Sequence, residues 1–388
     1  MERDKIVAVH SFPVWLPQTQ TWMYTQVKHL PEFVESHVVC ERTENLDQFN
    51  VKNIHSLQTS SRSQYFWEKI LRNMHVRYLA RFLVLVTNMT NADIVHSHFG
   101  HIGWSNLEAV KRTLAKHIVS FYGTDASRLP AQGKQWKLRY RELFDKADLF
   151  LCEGPHMAEQ LIALGCIRSK LIVHRLGIEV KAIPYRPRVW QAREPLRVLI
   201  AASFREKKGI PYALKALAQL QDVLTMQITI IGDAGRQAQD RKEKLRIMDI
   251  INASGLKPNT RLLGQQPHSV LFDEAYRHHI FISPSITASD GDTEGGAPVS
   301  LIEMMATGMP VVSTLHCDIP QVVRYGIDDW LVAERDVSGL VDRLAWLIKQ
   351  RNDWGGFLRT GRDHIELEFD AVGQGRQLEQ IYRSILRN

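Results

Sequence analysis

Short runs of apolar residues recur along the chain and alternate with longer stretches in which apolar and polar positions follow a helical period. In the first half the apolar runs are KIVAVH, HVVCE, ADIVHSHF, HIVSFYG, DLFLCEG and KLIVHRLG, and helical stretches such as TWMYTQVKHL and WSNLEAVKRTL separate them. Short buried strands that alternate with helices are typical of βαβ units. The pattern therefore predicts a parallel sheet.

A Pro-containing segment, AIPYRPRVWQAREP from Ala182 to Pro195, interrupts this alternation. The strand signal then restarts with LRVLIAASF and continues through MQITIIGD, RLLG, HIFISPS and PVVST. The chain has 388 residues, more than one hydrophobic core usually supports. We therefore expect an α/β protein with two doubly wound domains, residues 1–190 and 191–373, and ligands at the carboxyl ends of the strands.

The segment YFWEKILRNMHVRYLARFLVLV, residues 65–86, interleaves basic residues with aromatic and aliphatic ones. This composition is expected of a basic amphipathic helix that lies on a membrane. An ordinary surface helix with its apolar face on the core has the same pattern. Both interpretations stay open at this point.

The formal net charge is +7, and the excess of basic residues lies entirely in the first half of the chain. A basic half predicts an anionic partner, either nucleic acid or an anionic membrane surface. No nucleic-acid-binding motif accompanies the charge, so we set nucleic acid aside.

The longest apolar runs are too short for a signal peptide or a membrane span. The four cysteines are scattered without CxxC spacing, as in reduced cytosolic proteins. We expect a cytoplasmic protein, soluble or peripheral on the inner face of the plasma membrane.

Two carboxylates stand out in the stretch DGDTEGGAPVSLIEMMATGMPVVST. Glu303 lies inside an apolar helix that the sequence predicts to begin at Pro298, with Ala297 as its N-cap. Alanine cannot accept a hydrogen bond from the first-turn N–H groups, which stay free for a ligand. Glu294 lies in the preceding loop. One interpretation is that both carboxylates bind a ligand. The alternative is that Glu294 is a solvated loop residue and Glu303 pairs with an Arg or Lys inside the protein.

This pattern resembles the donor-site signature of retaining glycosyltransferases of the GT-B fold, and in particular the large family that includes the colanic acid and exopolysaccharide glycosyltransferases. The resemblance covers most of the chain and extends to the segments SFPVWLPQTQTWMYTQVKHL, ADIVHSHFG, VSFYGTD, ASFREKKGI, IIGDAG, LLGQQPHSVLFDEAY and FISPS. It implies two Rossmann-like domains that face each other across a cleft, with the C-terminal helix, about residues 374–388, packed back on the first domain.

The resemblance also implies roles for residues of the second half. Glu303 would bind the ribose hydroxyls of a UDP- or GDP-sugar, and Glu294 would position the sugar. Lys208 would neutralise the departing diphosphate, and no metal or cofactor would be required. The other residues expected at the donor site are Ser203, Gly232, Gly295, Gly296, Ala297, Pro298 and Val299.

The sequence departs from the family pattern at the donor site in two places. Eight residues separate Glu294 from Glu303, one more than is usual, so Asp290 and Asp292 are rival candidates for the sugar-positioning carboxylate. Ser203 also stands where the family commonly has Arg. Arg205 either replaces that arginine by pointing into the same cleft or is a surface residue.

On the acceptor side the resemblance implies roles for His98, Tyr122, Gly123 and Asp125. Tyr122 stands where many relatives have His, and a tyrosine is a poor base at neutral pH. The spacing of His96, His98 and His101 resembles that of zinc ligands, but no Cys or acidic ligand is adjacent. We therefore expect no metal there.

We predict a retaining glycosyltransferase that moves a sugar from a UDP- or GDP-sugar to a saccharide acceptor, linked to a polyprenyl diphosphate, in surface polysaccharide biosynthesis. Lipopolysaccharide is one such product. A sugar-nucleotide epimerase or a phosphorylase on the same fold is one alternative. A non-catalytic nucleotide-sugar-binding scaffold at the membrane is another.

Overall fold

The computed structural model describes residues 5–17, 20–60, 63, 65–67, 70, 80–327 and 330–387. The chain divides into two compact units. The first contains Met1–Glu179 together with Asp370–Asn388, and the second contains Val180–Phe369. Half of the amphipathic segment at residues 65–86 lies outside the described residues.

The first unit is built on a sheet of parallel strands with the order β3-β2-β1-β4-β5-β6-β7. These strands are β1 (Ile6–Trp15), β2 (Val34–Thr43), β3 (Ile54–Ser56), β4 (Ile94–His98), β5 (Lys116–Ser120), β6 (Leu149–Cys152) and β7 (Leu171–Val173). The strand order reverses between β1 and β4, which is the place where doubly wound folds bind ligands.

Helices of the first unit cover the sheet and include the last helix of the chain. They are α1 (Thr21–Lys28), α2 (Leu57–Ser60), α3 (Ala80–Met89), α4 (Gly100–Val110), α5 (Arg128–Ala131), α6 (Lys134–Lys146), α7 (Pro155–Ala163) and, after the second unit, α15 (Ala371–Arg387). Leu378 and Tyr382 of α15 are buried in the same core cluster as Ala8 and Ile94 of the sheet. The C-terminal helix is therefore part of the first unit.

The second unit has a smaller sheet of parallel strands with the order β10-β9-β8-β11-β12. Its strands are β8 (Leu196–Ala201), β9 (Met226–Ile231), β10 (Thr260–Gly264), β11 (Ile280–Ser283) and β12 (Val311–Ser313). Its helices are α8 (Ile210–Leu220), α9 (Ala238–Ala253), α10 (His268–Ala275), α11 (Val299–Ala306), α12 (Ile319–Val322), α13 (Val337–Lys349) and α14 (Trp354–Glu368). The predicted α/β class with two parallel sheets is thus confirmed.

The division between the units lies before the Pro-containing segment, earlier than the boundary near residue 190 that the sequence predicts. Arg188 explains the difference. Its buried guanidinium donates hydrogen bonds to the carbonyl oxygens of His278 at 3.0 Å and Ala275 at 2.9 Å. Since those acceptors belong to the second unit, the segment packs with that unit.

Candidate active site

Lys208 and Glu294 form an ion pair beyond the carboxyl ends of the strands of the second unit. The Lys208 Nζ lies 2.8 Å from the Glu294 Oε2, and the Ser285 hydroxyl donates to the Oε1 at 2.8 Å. Only 6% of the Glu294 side chain is exposed. Burial alone would raise the pKa of Glu294, but the ammonium groups of Lys208 and Lys207 outweigh it and lower that pKa to about 2. Glu294 is therefore an ionised carboxylate in a protected position.

Asp292, a rival candidate for the sugar-positioning carboxylate, forms ion pairs with two other basic side chains. The Arg205 Nη2 lies 2.6 Å from its Oδ2, and the Lys207 Nζ lies 3.4 Å from its Oδ1. The other rival, Asp290, is exposed and accepts a hydrogen bond from the Asp292 N–H. Glu294 is therefore the acidic group that the structure pairs with Lys208.

Arg205 faces a separate cavity. This cavity has a volume of about 730 Å³ and is lined by Arg205 and Asp292 together with residues of α8, α9 and the loop before Asp292. Lys208 and Glu294 do not line it. The structure thus pairs Arg205 with Asp292 and does not bring its guanidinium onto the Lys208–Glu294 pair.

The turns that carry Ser203 and Gly232 lie against each other after β8 and β9. Gly232 has a φ of +134°, and a Cβ at this position would lie 1.9 Å from the carbonyl oxygen of Ala202. The Phe204 N–H donates to the Asp233 carbonyl at 3.0 Å, which ties the two turns together. A glycine is required here because another side chain would push the turns apart.

Glu303 is buried in α11, and its recorded partner is a histidine. The His268 Nε2 lies 2.7 Å from the Glu303 Oε1. The hydrogen bond to Glu303 raises the pKa of His268, against the opposing effect of burial. The sequence suggested Arg or Lys as an internal partner of Glu303, and His268 was not among the predicted site residues. The Pro267–His268 start of α10, the helix that carries it, was the available signal.

Helix α11 begins one residue later than the sequence predicts. Pro298 is the N-cap, with a φ of −57° and a ψ of 130°, and makes no side-chain cap. The expectation that Ala297 is the N-cap is therefore wrong, because the extended ψ of Pro298 delays the first turn to Val299. Among the described residues, the Gly296 and Ala297 N–H groups donate no recorded hydrogen bond. They remain available to a ligand.

His98 and Tyr122 form a buried hydrogen-bonded chain in the first unit. The Tyr122 hydroxyl donates to the Gln26 Oε1 at 3.2 Å and accepts from the His98 Nδ1 at 2.6 Å. The His98 Nε2 then accepts from the His10 Nδ1 at 3.1 Å. Burial, followed by the neighbouring His96 and His10, lowers the pKa of His98, and burial raises the pKa of Tyr122. Both groups are thus held neutral.

Asp125 fastens the turn that follows β5. Its two carboxylate oxygens accept from the Gly100 N–H at 2.7 Å and from the Tyr122 N–H at 3.0 Å. Burial raises the pKa of Asp125 to about 6. Gly123 begins the turn with a φ of +114°. In this structure Asp125 and Gly123 hold the main chain around Tyr122.

The histidine cluster has a different membership from the one the sequence suggests. His10, His96 and His98 come together, with ligand atoms within 4.8 Å of one another, and His101 is not among them. The rings of His96 and His98 stack at 4.2 Å with an interplanar angle of 24°. Lone pairs lie in the ring planes, so stacked rings direct them side by side instead of toward one ion. The His96 nitrogens also contact the Tyr382 and Ser120 hydroxyls, both at 2.7 Å. The cluster fits a packed hydrogen-bonded stack better than a metal site.

Comparisons with known proteins agree with this geometry. The family described as glycosyl transferases group 1 matches residues 195–350, and the glycosyltransferase family 4 matches residues 19–182. The amylovoran biosynthesis glycosyltransferase AmsK of Erwinia amylovora is 34% identical over 296 residues, which cover 75% of this chain and 70% of AmsK. WcaL of Escherichia coli, which carries the name of a colanic acid biosynthesis glycosyltransferase, is 31% identical over 300 residues, 76% of this chain and 71% of WcaL.

Solved structures show the same fold. A glycosyltransferase from Rickettsia africae superposes with a TM-score of 0.75 at 16% identity and covers 100% of both chains. Anabaena HepE in complex with UDP and glucose gives a TM-score of 0.76 at 13% identity, covering 97% of this chain and 99% of HepE. These likenesses, the two family matches and the relatives above 30% identity show that the chain belongs to the GT-B glycosyltransferases, in the family of the colanic acid and amylovoran biosynthesis enzymes.

Proposed function

We propose that this protein is a retaining, metal-independent glycosyltransferase that moves a sugar from a UDP- or GDP-sugar to a saccharide acceptor in exopolysaccharide biosynthesis. The observation that supports this most is the Lys208–Glu294 pair, set beside the free N–H groups before α11. Glycosyl transfer builds negative charge on the departing diphosphate. A fixed ammonium group and a helix N-terminus both stabilise such charge.

The donor roles follow from the charge state of each group. Glu294 is ionised and protected from solvent, so it can accept hydrogen bonds from sugar hydroxyls. Glu303 would accept from the ribose hydroxyls. Lys208 would exchange part of its contact with Glu294 for the diphosphate. These residues can neutralise the leaving group without a metal ion.

Retention of configuration is proposed because the acceptor-side side chains Tyr122 and His98 make poor bases. Tyr122 has a raised pKa, and the His98 Nε2 is engaged by His10. A departing phosphate oxygen can itself take the acceptor proton in a front-face reaction. This route needs no side-chain base from the first unit.

The donor and acceptor classes draw on the relatives. AmsK and WcaL are named for exopolysaccharide biosynthesis, and the HepE structure holds UDP and glucose. The basic first half favours an acceptor that is linked to a lipid diphosphate at an anionic membrane surface. Arg81, Leu85 and Met89 share the exposed face of α3, as a peripheral contact would require. Among the described residues, no helix combines the length and hydrophobicity needed to cross a bilayer.

The test is a transfer assay with UDP-glucose, UDP-galactose and GDP-mannose, and with polyprenyl-diphosphate-linked saccharides as acceptors. We expect a product whose new linkage has the anomeric configuration of the donor, which NMR coupling constants report, and full activity in EDTA. An inverted linkage would overturn retention. Loss of activity in EDTA that added metal restores would overturn metal independence.

A non-catalytic scaffold is the second candidate, because Ser203 and Tyr122 replace the Arg and His of the family pattern. It predicts binding of the nucleotide sugar without turnover. An epimerase would convert the free donor, and a phosphorylase would depend on inorganic phosphate. The same assay, run without acceptor and with added phosphate, separates these activities.

A further inference from the structure

A buried histidine holds the main chain of the loop that carries Glu294. The Glu294 N–H donates a hydrogen bond to the His316 Nε2 at 3.1 Å. Only 1% of the His316 side chain is exposed. A main-chain N–H can only donate, so the His316 Nε2 must present a lone pair and its proton must be on Nδ1.

Glu334 selects the same tautomer from the other side of the ring. Its Oε1 lies 2.6 Å from the His316 Nδ1 and accepts a hydrogen bond from the Nδ1–H. Its carboxylate also accepts from the Thr287 N–H at 2.8 Å and from the Thr287 hydroxyl at 3.2 Å. Glu334 therefore links His316 to the segment after β11 that leads to Glu294.

The turn that follows His316 makes a second contact with the loop that carries Glu294. Cys317 has a φ of +46°, in the left-handed region that few residues other than glycine adopt. The next N–H, that of Asp318, donates to the Gly296 carbonyl at 3.2 Å. The turn at residues 316–318 thus contacts the loop at two main-chain groups, the Glu294 N–H and the Gly296 carbonyl, which lie on either side of Gly295.

We propose that His316 and Glu334 are positioning residues for the donor sugar, and this inference rests on the proposed function. Through one hydrogen-bonded relay, Glu334 to His316 to the Glu294 main chain, they fix the backbone from which the Glu294 carboxylate and the N–H groups of Gly296 and Ala297 reach the sugar. Glu303, assigned to the ribose, contacts His268 and lies outside this relay, whereas Lys208 meets it only through the Glu294 carboxylate.

The test compares three substitutions of His316. His316→Gln can place an amide oxygen near the Nε2 position and still accept from Glu294. His316→Asn can replace only the Nδ1–H that faces Glu334, and His316→Ala replaces neither. His278→Gln is the matched control, because His278 is a buried histidine of the same unit that bonds the Glu274 carbonyl and the Thr229 hydroxyl instead.

The readout is the ratio of affinities for UDP-glucose over UDP, and in parallel for GDP-mannose over GDP, by calorimetry. We expect the Asn and Ala variants to lose about tenfold of this ratio, as the loss of one buried hydrogen bond predicts, with the affinity for UDP or GDP alone little changed. The Gln variant should recover most of the ratio, and His278→Gln should keep it. An unchanged ratio in Asn and Ala, or a Gln variant no better than Asn, would overturn the proposal.

Hydrogen exchange at the Glu294 amide, measured without any ligand, separates a failure of the relay from a failure of the proposed function. We expect exchange at this amide to be faster by about tenfold or more in the Asn and Ala variants than in the Gln variant. Equal exchange in all three would overturn the relay itself. If the relay is present but the wild type binds no sugar nucleotide, the proposed function fails and the sugar-positioning role falls with it.

Discussion

The His268 Nε2 lies 2.7 Å from the Glu303 Oε1, so the carboxylate proposed to bind ribose is already held by an imidazole from the start of α10. This contact fixes the orientation of the carboxylate while His268 itself stays partly exposed, with 44% of its side chain accessible. The pair combines a buried acceptor, Glu303, with a titratable donor, His268. The pKa of His268 can therefore be measured with and without a ligand.

His268 makes stability depend on pH in a defined direction. Its pKa in the folded protein is raised above the ordinary value of 6.5 by the hydrogen bond to Glu303. The stabilisation is therefore fully present below pH 6.5 and is lost as the pH rises through the raised pKa. We expect the difference in unfolding free energy between wild type and His268→Gln to shrink as the pH rises. A difference that grew with pH in urea titrations would contradict this.

Glu294 has the opposite dependence. Its pKa is lowered from 4.5 to about 2, so its contribution is present above pH 4.5 and is lost as the pH falls toward 2. Removing one partner of a buried ion pair is costly, and we expect Glu294→Gln to lower the unfolding free energy at pH 7 by about 3 kcal/mol. The deficit should narrow below pH 4.5 in urea unfolding experiments. A deficit independent of pH would rule out the ion pair as its source.

Lys208 is expected to matter for turnover far more than Arg205. Loss of a group that stabilises charge in the transition state costs about 10²- to 10³-fold in kcat, and we expect Lys208→Ala to fall in that range. Arg205→Ala should have a smaller effect, because the Arg205 guanidinium is paired with Asp292. Lys215→Ala, which removes a lysine that lines the separate cavity, is the control and should stay near wild type. Equal losses in Lys208→Ala and Arg205→Ala would instead support Arg205 as the replacement for the family arginine.

The packing of α15 on α1 depends on one close approach. A Cβ on Gly375 would lie 2.0 Å from the carbonyl oxygen of His29, whereas a Cβ on Gly373 would have its nearest neighbour, Asp370 Oδ2, at 3.9 Å. We expect Gly375→Ala to lower the melting temperature through an overpacking cost of about 1–3 kcal/mol. Gly373→Ala in the same helix should be neutral or slightly stabilising, since alanine favours helices. Equal effects of the two changes on thermal unfolding would contradict the contact.

The sequence was sufficient to predict the sheets because buried parallel strands are continuous apolar runs, and KIVAVH and LRVLIAASF have that character. The boundary of the second unit was not predictable in the same way. It depends on Arg188, whose hydrogen bonds reach carbonyl oxygens far away in the sequence at His278 and Ala275. Local composition contains no sign of such a contact.

The candidate site was predictable only in part for the same reason. Glu294, Glu303 and Lys208 belong to motifs with recognisable neighbours, and the structure pairs Lys208 with Glu294. The groups that hold this part of the site, His268 and His316, come from turns after other strands. His268 contacts the Glu303 carboxylate, and His316 contacts the Glu294 N–H and the Glu334 carboxylate. Such contacts join residues that are distant in the sequence, so no local pattern indicates them.

The most direct test of the donor site is calorimetric titration of UDP, GDP and their sugar conjugates into the wild type, Glu303→Ala and Glu243→Ala. Glu243 is a buried carboxylate of α9 in the same unit and serves as the control for removing a buried acid. We predict that one nucleotide family binds the wild type and Glu243→Ala with similar affinity, and that Glu303→Ala loses this binding while still folded. Binding that survives in Glu303→Ala, or a folded wild type that binds no nucleotide, would contradict the proposed donor site.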